Sequence, residues 1–412
     1  MENSPDSAKI AITGMGIITS IGQGITAFQE ALLSGKTQFD YLRRPGREAS
    51  QPFIGSELPD ITVKSLFPEY GGLLNTATWT AQIATIAVSE AWKDAKLING
   101  QINQKRIGLV VGGSNFQQRY QQQIWDRYRS NPEFLRPTYG MAVWDTDLIG
   151  LLSQCFQIHG EGYSVSGASA SGAVAIIHAA RQILMGVVDI SIVVGALFDI
   201  SAWECQGLKN LGAMGSERFA NTPHLACRPF DQDRDGFIYG EGCGVLVLEK
   251  ADHAKQRGVN SYGQLMGWGL GLDGNRSPSP SQEGEERAMN SALAMADLKP
   301  EQIDYVNTHG TSSPLGDYTE IAALKSVGLS HCLLNATKSL TGHCLTAAGV
   351  IEVIATLLQM KAGVCHPTHN LVNPIDPSLH WVQETAVAAE IQYAISNSFA
   401  FGGINTALAI RK

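Results

Sequence analysis

Short, densely apolar segments alternate with longer segments of helical length along this chain, and this alternation limits the folds it can adopt. Residues 107–112 and 189–196 are brief runs rich in Ile and Val, which are typical of strands buried on both faces. Residues 74–96, 171–185 and 346–361 have the length and apolar content of helices. Such an alternation predicts an α/β fold whose strands are largely buried. Further predicted strands span 10–14, 244–249, 305–307 and 393–397, and further predicted helices span 26–34, 117–129, 281–297 and 318–326.

A weak internal repeat relates two of these helices. Residues 171–184 and 348–360 place a glycine and then apolar residues at similar offsets, so that Gly172 matches Gly349. Charge and glycine content rise near 251–262, which favours a boundary there. Because no low-complexity linker separates the two parts, we expect them to form one intimate unit. The predicted halves are residues 1–255 and 256–412.

Composition excludes several classes of protein. With 30 basic and 38 acidic residues the net charge is −8, which disfavours a nucleic-acid-binding protein. The apolar run at 162–180 carries four serines and His178, so we predict no membrane span. Acidic and polar residues precede the first apolar run, the reverse of a secretory signal. Seven scattered cysteines without a C-x-x-C pair favour reduced thiols, and together these features predict a cytoplasmic protein.

Five motifs occur in order and carry the residues of a candidate site. They are YSVSGASASG at 163–172, RPFDQDRDGFIYGEGCGVLVLEK at 228–250, VNTHGTSSPLGD at 306–317, NATKSLTGHCLTAAG at 335–349 and NSFAFGGIN at 397–405. In order and spacing they resemble the motifs of β-ketoacyl-ACP synthases, which are condensing enzymes of the thiolase superfamily. The resemblance covers nearly the whole chain. It implies a homodimer with a thiolase-like fold, in which duplicated halves build a five-layer α-β-α-β-α sandwich.

The resemblance also implies roles for individual residues. It implies catalytic roles for Ser169, His309, His343, Lys338 and Phe401, substrate contacts from Phe237, Asn115, Pro278, Gly402 and Gly403, and a supporting shell of Glu320 and Asp317. The backbone amides of Ser169 and Phe401 would form an oxyanion hole for a thioester carbonyl. Two neutral imidazoles would stabilise the enolate that forms when a malonyl group loses CO₂. We expect no metal site and no cofactor bound to the protein itself.

Several positions depart from the pattern that the motifs resemble. Ser169 stands where the family carries its catalytic cysteine. The loop that usually reads Gly-Phe-Gly-Gly-Thr-Asn begins here with Ala400, whose Cβ is expected to restrict loop motion. Asn115 is polar where relatives often have an apolar acyl-pocket residue, which would suit a small acyl group. Pro278 stands where many relatives use a threonine to contact phosphopantetheine.

The resemblance implies two reactions, acylation of the nucleophile and decarboxylation of a malonyl group. Serine in place of the catalytic cysteine removes the first of them. A cysteine with a pKa near 8.5 becomes a thiolate beside a helix N-terminus and a histidine. An alcohol starts several units higher, and a helix dipole contributes only about 0.3–1 kcal/mol, occasionally about 2. Acylation of Ser169 would therefore need a positioned general base. Decarboxylation needs no nucleophile, and every group that it does need is present.

The leading functional hypothesis is a ketosynthase-like decarboxylase that converts malonyl-ACP to acetyl-ACP and CO₂ without condensation. The chain resembles the Ser-for-Cys decarboxylases of polyketide β-branching cassettes. The implied partner is an acyl carrier protein whose phosphopantetheine arm carries the malonyl group. One alternative is a non-catalytic chain-length factor that pairs with a ketosynthase, although such subunits usually lack the two histidines as well. The other is an acyltransferase in which Ser169 is a true nucleophile.

Overall fold

The computed structural model describes residues 10–97 and 102–412, and the elements below lie within those ranges. The strands are β1 Ile10–Thr19, β2 Gly22–Gln23, β3 Asp40–Tyr41, β4 Ile54–Ser56, β5 Ile107–Gly112, β6 Gly162–Val165, β7 Ile190–Gly195, β8 Tyr239–Gly240, β9 Gly242–Lys250, β10 Gly263–Leu272, β11 Tyr305–Asn307, β12 Leu333–Asn335, β13 Val364–Cys365, β14 His380–Trp381, β15 Val387–Ala388, β16 Tyr393–Ala400 and β17 Ile404–Arg411. The α-helices are α1 Ile25–Leu33, α2 Val63–Leu66, α3 Gly71–Leu74, α4 Trp79–Asp94, α5 Gln118–Tyr128, α6 Tyr139–Ala142, α7 Asp145–Phe156, α8 Ser171–Leu184, α9 Ala202–Asn210, α10 Ala251–Arg257, α11 Gln282–Ala296, α12 Pro314–Val327, α13 Lys338–Thr341 and α14 Ala348–Ala362.

Ten strands form two sheets that are joined into one continuous sheet and have the same internal order. The first runs β6-β5-β7-β9-β1 and the second runs β12-β11-β16-β17-β10. In each sheet the three strands at one end pair in parallel and the last two pairings are antiparallel. Three residue pairs between β1 and β10, centred on Ala11 and Gln264, connect the sheets edge to edge. The chain therefore contains one topology twice.

Helices cover both faces of each sheet and complete the five layers. The buried helices α8 and α14 pack against each other and against strands of the two sheets. On the outer faces, α4 packs on β1 and β9, while α11 packs on β10 and β17. The predicted α/β class and the thiolase-like five-layer α-β-α-β-α sandwich are confirmed. The division into 1–255 and 256–412 stays a prediction, which the repeated strand order supports.

The central layer holds an apolar core that both halves share. Ile176 and Ile183 of α8 and Ile354 and Leu358 of α14 belong to one buried cluster. The segment Leu345–Ala362 is apolar enough by composition to cross a membrane, but 83% of it is buried inside the protein, as is typical of a core helix.

The predicted elements are recovered, with corrections at their ends. The helix expected over 74–96 is wrong at its start, because Leu74 ends the separate short helix α3. Helix α4 begins after Thr78, whose side chain accepts a hydrogen bond from the Ala81 N–H and so caps the first turn. The helix expected over 318–326 begins earlier, at Pro314 after the cap residue Ser313.

Two long strands, β10 and β17, were not predicted. Glycines recur through β10, and glycine weakens the strand pattern in a sequence. In the structure they permit close packing of α11. A Cβ on Gly269 would lie 2.0 Å from the Ala288 carbonyl oxygen, and one on Gly267 would lie 2.6 Å from that of Ala292. Tertiary contact, rather than local propensity, explains this strand.

Candidate active site

Ser169 lies in a tight turn at the amino end of a buried helix. The turn Ala168–Ala170 precedes α8. Ala168 has φ +45°, in the left-handed region that non-glycine residues rarely adopt. Ser171 holds the turn, because its Oγ accepts a hydrogen bond from the Gly167 N–H at 2.9 Å and donates to the Ala168 carbonyl at 2.7 Å. Ser169 is thereby presented, half-buried, beside the free amides of a helix start.

His343 is the side chain that reaches Ser169. Its Nε2 lies 2.8 Å from Ser169 Oγ. The backbone of His343 is bonded on both sides, since its N–H donates to the Ile238 carbonyl at 2.7 Å and its carbonyl accepts from the Gly240 N–H at 3.1 Å. Phe237 packs edge-on against the imidazole, with ring centroids 5.2 Å apart. The imidazole is therefore held in one position.

The environment of His343 indicates which nitrogen carries the proton. Nδ1 is buried and has no hydrogen-bond partner among the described residues. A buried N–H without an acceptor is rarer in proteins than an unsatisfied lone pair. Burial, and secondarily the Lys338 ammonium, hold the pKa of His343 well below its usual range. His343 is thus a neutral imidazole whose Nε2–H donates to Ser169 Oγ.

His309 lies across the same cavity and is fixed by charged groups. Its ring centroid is 5.6 Å from that of His343, nearly perpendicular to it. Lys338 Nζ donates to the His309 carbonyl at 2.6 Å and lies 3.3 Å from His309 Nδ1. Glu320 accepts from the N–H groups of His309 at 2.8 Å and Gly310 at 2.9 Å. Since Nδ1 faces an ammonium, the proton of a neutral His309 resides on Nε2.

Electrostatics keep His309 neutral as well. Burial first, then the Lys338 ammonium and His343, hold the pKa of His309 well below its usual range. Lys338 is itself buried and forms an ion pair with Glu352 of α14. Burial raises the pKa of Glu352 to about 7 despite the adjacent ammonium. Lys338 therefore acts behind His309 as an orienting charge and does not line the cavity.

Four carboxyl side chains line one wall of the cavity. Asp317 accepts from the Phe230 N–H at 2.7 Å and the Thr311 N–H at 3.1 Å, and burial raises its pKa to about 7. Glu285 is 1% exposed, and its Oε2 has no hydrogen-bond partner among the described residues. Burial, with Glu320, Asp273 and Asp317 nearby, raises the pKa of Glu285 well above its usual range. Burial and the neighbouring carboxylates therefore favour the protonated form of Glu285.

The cavity that unites these groups has a volume of about 590 Å³. Of the residues that the sequence predicted, it is lined by Ser169, His309, His343, Phe401, Phe237, Asn115, Pro278, Glu320 and Asp317. Gly402 and Gly403 do not line it. They occupy the turn between β16 and β17 with φ of +81° and +70°, so they shape the loop that carries Phe401. Ala400 pairs with Ile404 at the end of the hairpin, which accommodates its Cβ.

Sequence reasoning missed three residues of this site. Phe399 packs against the His309 ring, with centroids 5.8 Å apart. Asn397 donates to Glu320 Oε1 at 3.2 Å. Both lie in the motif at 397–405, so the motif itself was the available signal. Glu285 had no such signal, because the acidic stretch around it is typical of a solvated helix face.

A duplicated thiolase-like fold, with a serine at a helix start and two neutral histidines at one cavity, defines a protein of the ketosynthase class. The family description "Beta-ketoacyl synthase, N-terminal domain" matches residues 7–254, and "Beta-ketoacyl synthase, C-terminal domain" matches residues 262–372. The chain belongs to the β-ketoacyl synthase family.

Relatives within the family include decarboxylating and condensing proteins. The chain is 48% identical to the polyketide biosynthesis malonyl-ACP decarboxylase PksF of Bacillus subtilis, over 98% of this chain and 96% of that protein. It is 33% identical to 3-oxoacyl-[acyl-carrier-protein] synthase 1 of Haemophilus influenzae, over 98% and 99%. Among solved structures, a β-ketoacyl synthase from Burkholderia phymatum superposes with a TM-score of 0.88 at 30% identity, over 98% of this chain and 99% of that chain.

Proposed function

We propose that this protein is a malonyl-ACP decarboxylase of polyketide β-branching, which converts malonyl-ACP to acetyl-ACP and CO₂ without condensation. The observation that carries the proposal is the hydrogen bond from neutral His343 to Ser169. The site keeps the groups that stabilise an enolate but has neither a thiol nor a base that could activate the serine. The 48% identity to the malonyl-ACP decarboxylase of Bacillus subtilis supports the same conclusion.

The mechanism follows from the arrangement of donors. The thioester oxygen of the malonyl group takes a hydrogen bond from the Nε2–H of His309, with the backbone amides of Ser169 and Phe401 as the proposed oxyanion hole. The Nε2–H of His343 forms a bifurcated hydrogen bond to Ser169 Oγ and to the thioester oxygen. These donors stabilise the negative charge that develops as the bond to the carboxylate breaks. Phe237 and Phe401 offer the carboxylate an apolar surface, which favours its loss as CO₂.

The two alternative functions, a Ser169-dependent acyltransferase and a chain-length factor, receive less support. An acyltransferase would need His343 to accept the Ser169 proton, but a neutral His343 that donates through Nε2 cannot do so. A chain-length factor needs no catalytic histidines, yet His309 is held here by Lys338 and Glu320. The fold resembles the ishigamide ketosynthase/chain length factor with a TM-score of 0.87 at 27% identity, over 98% of this chain and 99% of that chain. That likeness does not distinguish a catalytic subunit from its partner.

The proposed partner is an acyl carrier protein, whose phosphopantetheine arm would enter the cavity past Pro278 and Asn115. No cofactor on the protein itself enters the mechanism. We also propose a homodimer that functions in the cytoplasm. Strand β6 ends the first sheet and is only partly buried. Trp125 and Trp144 are each 64% exposed and are available for an interface between subunits.

Mass spectrometry of malonyl-loaded carrier protein tests the proposed function. Incubation with this protein is expected to give acetyl-ACP by loss of CO₂, with no elongated product and no acyl adduct on Ser169. Unchanged malonyl-ACP with several carrier proteins would support the partner-subunit role instead. Light scattering of the purified protein tests the homodimer, which a monomeric mass would contradict.

A further inference from the structure

The decarboxylation consumes one proton in each turnover. When malonyl loses CO₂, the electron pair of the broken C–C bond passes into an enolate, and its α-carbon must gain one proton to become the acetyl methyl group. A condensing enzyme has no such step, because there the enolate carbon attacks an acyl group. If the proposed function is correct, the cavity must supply a proton to carbon once in each turnover.

Ser169 is a hydroxyl group of the cavity that lies next to one of the two imidazoles. Its Oγ is 2.8 Å from His343 Nε2, and the hydrogen in that contact belongs to the imidazole. The hydroxyl hydrogen of Ser169 is therefore free to point into the cavity, which Ser169 lines. Nδ1 of His343 has no hydrogen-bond partner among the described residues, and this favours the stated direction of donation, since the opposite tautomer would bury an unpaired N–H.

We infer that Ser169 is the general acid of the reaction and that its hydroxyl delivers the proton to the α-carbon of the enolate. CO₂ first departs without the bonding electron pair, which leaves the enolate. The Oγ–H bond of Ser169 then breaks and a C–H bond forms at the α-carbon of the substrate. The Nε2–H of His343 and the amino end of α8 stabilise the transient charge on Oγ, which then regains a proton from solvent water. The transfer runs from oxygen to carbon because the enolate carbon is the stronger base.

Other groups of the site are less suited to this step. His309 presents its Nε2–H to the substrate oxygen, and proton transfer there would give an enol. Burial raises the pKa of Glu320, but both of its oxygens accept hydrogen bonds from backbone N–H groups, so a proton on either oxygen would break one of these bonds. Glu285 is the competing donor, because its carboxyl group lines the same cavity and its Oε2 is unpaired among the described residues.

Isotope discrimination in the product tests the inference without depending on which step limits the rate. Turnover in an equal mixture of H₂O and D₂O gives acetyl groups as CH₃ or CH₂D, and mass spectrometry measures their ratio. Each donor has its own preference for protium over deuterium, so the ratio reports the donor. Short reaction times and analysis of the remaining malonyl-ACP correct for spontaneous exchange at its α-carbon.

Ser169→Ala is expected to slow acetyl formation by roughly 100-fold and to shift the CH₃ to CH₂D ratio to that of water as donor. Ser169→Thr retains the hydroxyl group and is expected to keep the wild-type ratio, as is Glu285→Gln. Circular dichroism establishes that each variant is folded. An unchanged ratio in Ser169→Ala would overturn the inference, and a ratio that moves only in Glu285→Gln would transfer the role to Glu285.

The inference rests on the proposed function, but the two can fail separately. Absence of CO₂ release by the wild-type protein with every carrier tested would overturn both. CO₂ release together with the same isotope ratio in wild type and Ser169→Ala would overturn only the role of Ser169.

Discussion

At the scale of single residues, the site depends on keeping two imidazoles neutral next to a buried ammonium. Lys338 and burial both disfavour a second proton on His309 and His343. The same ammonium faces His309 Nδ1 and so directs its remaining proton to Nε2. The buried lysine therefore sets the tautomer of His309 and, second to burial, helps to keep its imidazole uncharged.

Replacing either histidine is expected to remove the reaction. His309→Ala or His343→Ala should lower CO₂ release by about 10²–10³-fold or more, because each removes a donor to the developing enolate. Ser169→Ala should retain measurable release, since water can replace a proton donor. Release of ¹⁴CO₂ from labelled malonyl-ACP measures the effect, with His380→Ala, an exposed histidine, as the control. Full activity in both site variants would contradict the mechanism.

Glu285 predicts a specific dependence of stability on pH. Below the ordinary glutamate pKa of about 4.3, Glu285 is protonated in folded and unfolded chains alike. Above it the unfolded chain loses the proton, while the folded chain, with its raised pKa, keeps it. The folded state then binds more protons, so the contribution of Glu285 to stability falls as pH rises.

The side chain introduced by Glu285→Gln cannot titrate, so the variant should gain stability relative to wild type as the pH rises above the ordinary glutamate pKa of about 4.3. Denaturant unfolding at several pH values measures the difference in free energy of unfolding. Glu283→Gln is the matched control, because Glu283 lies on the same helix with its side chain 82% exposed. Parallel stability curves for wild type and Glu285→Gln would show that Glu285 is not a buried neutral acid.

At the scale of elements, the two central helices meet at the glycines of the internal repeat. A Cβ on Gly349 of α14 would lie 2.7 Å from the Ala173 backbone nitrogen of α8. One on Gly172 would lie 2.9 Å from that of Val350. The pairing of Gly172 with Gly349 thus has a physical cause, since each glycine lets the partner helix approach closely.

Gly349→Ala is expected to destabilise the fold by about 1–3 kcal/mol, because the close helix contact cannot relax freely. Gly150→Ala is the matched control. Gly150 lies within α7 and no atom lies within 4 Å of the position that an added Cβ would occupy, so alanine should stabilise the protein by about 1 kcal/mol. Denaturant unfolding of both variants measures the effects. Equal changes of the same sign in the free energy of unfolding of the two variants would contradict the packing role of Gly349.

At the scale of the whole molecule, the shared core links the two halves into one cooperative unit. Helix α8 comes from the first half and α14 from the second, and both contribute to one buried apolar cluster. Neither half can bury its inner helix without the other.

Thermal unfolding should therefore show a single transition, since loss of either half exposes the central layer of the other. Scanning calorimetry measures this, and two separable transitions would contradict it. Residues 1–255 expressed alone are expected to remain unfolded or aggregated, as judged by circular dichroism and gel filtration. A folded, monomeric fragment would show that the central layer is dispensable.

From the sequence alone, apolar periodicity predicted the α/β class and a weak repeat, while the motifs and the family that they resemble predicted catalytic roles for Ser169, His309 and His343. The inference that His343 donates to Ser169 needed the tertiary structure, since the tautomer follows from a buried Nδ1 that has no partner among the described residues. The tertiary structure also placed Glu285, with its pKa raised by burial, among the residues that line the cavity. Burial and the proximity of other charges set the state of such a group, and both arise only when segments far apart in sequence pack together.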